Sequence, residues 1–364
     1  MVNKERWGKR IKDERNWKIY HEELIIRGEF FFDFEFLENW DKELGLMNKA
    51  KVGRPYEYPH SLFYWLAPMY SFLDSRKLEG ALRKLSYYMP KLKACDHSTI
   101  ITRLNMLDIR LKLDKEKTYY TACDSTGNKL TNRGEYIRHK WKVQRGWIKV
   151  SIVIDRFTKE LLDVEVSLEE IADYELAKKH LANLKEMKID DFTGDGAYYV
   201  QELYELLKKH NIKPVIKIPK NASNKGFDPM HTAVREMEAL GGYQPWRDKL
   251  KYGHRWNIEG YNSSTKRTFG ECVRSHKEEN CLNEAKMKFI NYERMKKYAQ
   301  GKLEQGQLCA QNPKFAFSSK FLGRNNESRQ LILIIVRQSW LRLIVRQSRL
   351  RCSGCSQVAY VTIL

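Results

Sequence analysis

The sequence predicts an α/β fold, in which a mixed sheet flanked by helices follows an all-helical N-terminal region. Three observations lead to this reading. Short runs rich in β-branched and aromatic residues recur between residues 117 and 219, and helical patterns separate the later ones. Before residue 113 the interpretable periodicities are helical. The chain of 364 residues, 42% hydrophobic and 12% aromatic, is long enough for two or three domains and a sizeable core.

The N-terminal elements come first. Residues 1–19 are mostly charged and read as an arm without the apolar core of a signal peptide. An aromatic-rich segment, 28–40, supplies rings for core packing. Gly53-Arg54-Pro55 through Pro59 then punctuates the chain as a turn or extended stretch. Helical patterns follow over 61–74 and 76–88, and a third helix opens with Ser98 as its N-cap.

Next comes the sheet. Residues 117–124 read as a first strand, 147–154 and 161–166 as a second and third joined by a turn. A helix over 174–185 leads to a fourth strand ending at Asp195, and a helix over 199–210 leads to a fifth at 214–219. A three-strand meander followed by helix, strand, helix, strand is the order of an RNase H-like sheet. Residues 220–251 are polar, contain Gly241-Gly242 and read as loop with one short helix.

The chemistry concentrates in three places. Asp124, in Cys123-Asp124-Ser125-Thr126-Gly127, and Asp195, in Gly194-Asp195-Gly196-Ala197-Tyr198, each follow a strand-like run and precede small, turn-forming residues. On a helix at about 100° per residue, Tyr252, Arg255, Glu259 and Lys266 fall within an arc of roughly 60°. That stripe holds a hydroxyl, a guanidinium, a carboxylate and an ammonium where an amphipathic helix would place Leu or Ile. A solvated, salt-bridged face is the plainer alternative, since Arg255 and Glu259 form a favourable i,i+4 pair. Asp155, Asp163, Asp190 and Asp191 also stand at strand ends, and Asp190 and Asp191 rival Asp195 by position alone. Three carboxylates make an all-oxygen site suited to hard cations such as Mg²⁺ or Mn²⁺.

Taken together, these residues resemble the DDE transposases of prokaryotic insertion sequences, whose catalytic core is RNase H-like. One branch carries the spacing Y-x2-R-x3-E-x6-K about its third acid, and Tyr252, Arg255, Glu259 and Lys266 fit it at all four positions. The DST and GDGAY motifs look like the family's other two acid motifs, and the resemblance spans roughly 54–298. It implies that Asp124, Asp195 and Glu259 are the catalytic acids and hold two divalent ions, Mg²⁺ or Mn²⁺. Tyr252, Arg255, Lys266 and Arg267 would then contact DNA. The resemblance also implies a helix-turn-helix-like domain over 1–112 that binds element ends, where periodicity alone allows plain helical packing equally. The catalytic domain would occupy 113–300. Partners would be double-stranded DNA, namely terminal inverted repeats and target, with a homodimer on the DNA and a cytoplasmic, nucleoid-associated location.

Composition agrees with such partners. A net charge of +20, from 66 Lys plus Arg against 46 Asp plus Glu, suits a polyanionic partner, nucleic acid before membrane, although charge alone also fits a basic protein that binds none. Basic residues from Lys129 to Arg145, interleaved with Tyr136 and Trp141, suit a phosphate backbone and splayed bases as well as they suit a solvated hairpin arm. Seven scattered cysteines, with a lone Cys352-Ser-Gly-Cys355, point to free thiols rather than zinc. In the tail, 301–364, Ile335-Val-Arg-Gln-Ser339 recurs as Ile344-Val-Arg-Gln-Ser348. Arginines interrupt its apolar run, so it would not span a bilayer cheaply. A read-through extension is the favoured reading, over an oligomerisation helix; removing residues after about 310 should then leave activity intact. Two other functions stay open: a DNA-binding remnant with an inactive core, and a stand-alone RNase H-like nuclease.

Overall fold

Among the described residues, six strands form one mixed sheet. The structure is a computed structural model that describes residues 16–107, 109, 111–130, 139, 147–168 and 171–301. Expectations for residues 1–15, for the basic positions from Arg133 to Arg145 and for the tail lie outside them. In the sheet, β1 (Thr118–Leu130) pairs antiparallel with β2 (Trp147–Asp155), which pairs antiparallel with β3 (Leu161–Ser167). On its other side β1 pairs parallel with β4 (Lys188–Gly194), and β4 with β5 (Lys213–Ile216). The order β3-β2-β1-β4-β5 is the RNase H-like arrangement that the sequence predicts. A two-residue strand, β6 (Cys272–Val273), adds to the far end of β1.

Helices cover both faces. The N-terminal region is all helical: α1 (Trp17–Glu29), α2 (Trp40–Asn48), α3 (His60–Tyr70), α4 (Ser75–Tyr88) and α5 (His97–Asn105). Then come α6 (Asp173–Asn183), α7 (Gln201–Lys209), α8 (Pro229–Ala239), α9 (Tyr243–Lys249), α10 (Trp256–Phe269) and α11 (Glu278–Ala299). Because strand side chains alternate, Ile148, Val150, Ile152 and Ile154 of β2 all reach one face. There they join one buried cluster with Leu62 and Phe63 of α3, Ile258 of α10 and Phe289 of α11. Tyr119, Cys123 and Val153 face the other way, against Ala177 of α6 and Leu203 and Leu207 of α7. Truncating any of these fully buried leucines to Ala would cost about 2–5 kcal/mol. No helix among the described residues is long and apolar enough to cross a membrane.

The structure corrects several boundaries. Helix α5 is capped by Asp96, not Ser98: its Oδ1 accepts from the backbone N–H of Ser98 and Thr99. The stretch 220–251 holds two helices where one was expected. Asp228 caps α8 with Pro229 in its first turn, and Gly241 and Gly242, at φ of 88° and 100°, turn the chain into α9. The first strand does not end at Asp124 but runs six residues further, to Leu130.

Candidate active site

Asp124 lies in mid-strand, and its placement follows from where β4 stops. The parallel pairing of β1 with β4 ends at Ala122 and Thr193, whereas pairing with β2 continues through Asp124 opposite Ile152. The chain passes Gly127 because the Trp147 ring lies over it; a Cβ there would meet the ring at 2.8 Å. Ala122 and Asp124 share the face that α10 crosses, so the carboxylate emerges from apolar packing at the point where the neighbouring strand has left. It is half-buried, and its Oδ1 accepts from the Ser125 N–H at 2.9 Å. Burial pushes this carboxyl up to about 6. The Ser125 N–H and Arg255 pull it down, and the charges of Asp195 and Glu259 push it further up. Asp195 and Glu259 are thus both close enough for their charges to act on Asp124.

Asp195 follows β4 directly and caps a 3-10 turn, Gly196–Tyr198, by accepting from the Ala197 N–H at 2.8 Å. The GDGAY motif has a packing reason. The Tyr198 ring lies on Gly194, where a Cβ would approach it to 2.7 Å, and its buried hydroxyl reaches the Sγ of Cys123 at 3.4 Å. One tyrosine therefore ties the turn carrying Asp195 to the residue before Asp124.

The third acid arrives on α10. Its approach is a 3-10 turn, Tyr252–Arg255, so Tyr252 stands at the mouth of the helix rather than within it. Tyr252 is 5% exposed, and its hydroxyl donates to the Gly194 carbonyl at 3.2 Å. The hydroxyl of Tyr252, expected to contact DNA, is thus bonded to the strand end beside Asp195. Arg255 donates to Glu259 at 2.7 Å, the i,i+4 pair that the spacing allows. Burial opposes its charge, but Tyr252, Glu259 and Asp124 hold its pKa above the ordinary value. About two turns beyond Glu259, Lys266 Nζ donates to the Gly127 carbonyl at 2.8 Å, bracing α10 to β1. Arg267 is exposed and leans on Ser263.

Between β1 and α10 opens a cleft of about 520 Å³. Its walls include Asp124, Glu259, Lys266 and Arg267, with Ser125 and Asn262, which the sequence reading had not singled out. Asp195 is not among the lining residues and acts on the cleft through its charge. Three of the four rival carboxylates are occupied elsewhere, and Asp190 is exposed. Asp155 accepts from the N–H of Phe157 and Thr158, Asp163 binds His180 and Asn183, and buried Asp191 is ion-paired with Arg156.

Among the described residues no three His, Cys, Asp or Glu side chains already stand close enough together to grip one ion. The residues nevertheless fit a hard divalent cation: the donors are carboxylates, and the charges of Asp195 and Glu259 add to the burial that raises Asp124. A guanidinium holds the place at Glu259 that a cation would compete for.

Comparison with protein families matches residues 116–293 to a family described as Transposase DDE domain. A second family of the same description matches residues 25–133. Among solved structures, the piggyBac transposase synaptic complex with hairpin DNA is similar over 84% of this chain and 87% of its own, at 10% identity and a TM-score of 0.35. A simian T-cell lymphotropic virus intasome in complex with PP2A regulatory subunit B56 gamma is similar over 71% and 78%, at 14% identity and a TM-score of 0.22. The family assignment rests on the two domain matches alone.

Proposed function

We propose, from the premise that the chain belongs to the DDE transposases, that Asp124, Asp195 and Glu259 are its catalytic acids. On this reading it cuts DNA at the ends of a mobile element and joins the freed 3′-OH to target DNA. The observation that carries the assignment is Asp124: a half-buried carboxylate at the wall of an open cleft, facing Glu259 across it and subject to the charge of Asp195. Divalent cations, Mg²⁺ or Mn²⁺ and two of them on our reading, would supply an activated attacking oxygen and stabilise the leaving one.

The chain's own groups do the rest. The three carboxylates would hold the cations, while Tyr198, against Cys123, and Tyr252, donating to the Gly194 carbonyl, tie together β1, the end of β4 and the turn into α10. In the first step a water oxygen bonds to phosphorus as the bond to the 3′-oxygen breaks. In the second, that 3′-oxygen attacks a phosphorus of target DNA and displaces its 3′-oxygen. Arg255, beside Glu259, and Lys266, in the cleft wall, would bind a backbone phosphate, Arg through two oxygens at once and Lys as a point charge. Arg267, exposed at the rim, adds charge along the strand's path. The helices of 1–112 recognise the terminal inverted repeats, and two copies act together on the DNA, in the nucleoid.

The test is nicking of an end-bearing duplex in Mg²⁺. Asp124→Ala abolishes cutting and leaves DNA binding intact; undiminished cutting by this variant would remove the assignment.

A further inference from the structure

A buried arginine outside the three motifs connects the pieces that the proposed reaction needs. Arg156 follows β2 directly and is 4% exposed. Its side chain reaches two elements. One Nη donates to Asp191 of β4, and the other donates to the carbonyls of Leu250 at 3.0 Å and Lys251 at 3.4 Å. Its own carbonyl accepts from Asn257 Nδ2 at 2.7 Å, in the first turn of α10. The Lys251 backbone, at a left-handed φ of 52°, is the hinge from α9 into the Tyr252–Arg255 turn. Such a conformation persists only where its surroundings fix it, and Arg156 grips it from the sheet. A charge pair this deep is costly to bury, so bulk stability gives little reason to keep it.

We infer that Arg156 is a positioning residue: bonded at once to β4, to the Lys251 hinge and to the start of α10, it sets where Glu259 stands relative to Asp124 and Asp195. This rests on reading those three as the cation-holding acids. Lysine at 156 keeps the charge but offers no planar fork to serve Asp191 and two carbonyls together. The acids would then drift apart, while the N-terminal helices, which Arg156 does not bond, stay in place to bind DNA.

The experiment titrates Mn²⁺ into the full-length protein by electron paramagnetic resonance, for wild type, Asp124→Ala, Arg156→Lys and Asn257→Ala. Nicking of end-bearing DNA is followed in parallel. Arg156→Lys should weaken half-saturation by Mn²⁺ about tenfold, as loss of a ligand's support does. Its kcat for nicking should fall while KM for the DNA, set chiefly by the N-terminal helices on this reading, stays within about twofold. Asn257→Ala removes one bond at the half-exposed start of α10, and should shift the same way by about threefold. A folded Arg156→Lys with the wild-type Mn²⁺ isotherm overturns the inference. If that variant does not fold, an unshifted Asn257→Ala overturns it instead. Should Asp124→Ala bind Mn²⁺ as wild type does, the functional reading itself fails; should only Asp124→Ala differ, the positioning role alone fails.

Discussion

The sheet carries two constellations of reactive side chains, one on each face, and they differ in access. On the α10 face Asp124 and Glu259 line an open cleft. On the opposite face Asp163 Oδ2 lies 2.7 Å from His180 Nδ1, and His180 Nε2 lies 3.1 Å from Ser151 Oγ. That is the hydrogen-bond order of a serine hydrolase's acid, base and nucleophile. Yet Ser151 and His180 are both 0% exposed, sealed beneath α6. Beside them burial pushes the Cys123 thiol up to about 12, which leaves it inert. Residue types and distances alone would nominate the sealed face. What separates a reaction centre from a buried brace is room for a substrate and a charge imbalance left for a ligand to relieve.

Substitutions can break or sharpen this contrast. The largest effect belongs to Glu259→Gln, which keeps shape and removes charge: nicking should fall by about a thousandfold with DNA binding retained. On the sealed face His180→Ala should leave cleavage per folded molecule nearly unchanged but cost about 3 kcal/mol in urea denaturation, because it strands buried polar partners. Acid titration gives a smaller effect. Burial raises the Asp163 carboxyl, but His180 and Asn183 outweigh it and hold the pKa below the ordinary 3.8. Its contribution to stability is therefore present above that pH and lost as pH falls through the lower folded value. Melting curves of Asp163→Asn should accordingly depend less steeply on acidification than those of wild type. Ser151→Ala should cost least, about 1 kcal/mol. A fluorophosphonate probe should not label wild-type Ser151, and labelling there would erase the distinction between the faces.

The three candidate acids stand out in the sequence because each sits in a local pattern: turn-forming residues after Asp124 and Asp195, and a helical stripe through Glu259. Strand order was legible for the same reason, since alternation and turns are read within a few residues. What escaped depends on distant partners. Gly127 looks like the end of a strand until the Trp147 ring is seen over it. Gly241-Gly242 reads as loop until the two helices it joins are in view. Arg156 is one basic residue in a turn, and the groups that make it matter lie 35, 94 and 95 residues away. The bond of Tyr252 to Gly194 spans 58 residues, so no local pattern shows it.

Asp124 occupies the middle of a thirteen-residue strand, not a frayed tip. Fraying at either end of β1 would therefore leave its backbone clamped by the β2 ladder. Amide hydrogens around it should be among the slowest to exchange with solvent, although the side chain opens onto water. Strain from a pulled or bent duplex would then be absorbed by the loops and the helix, while the carboxylate keeps its aim.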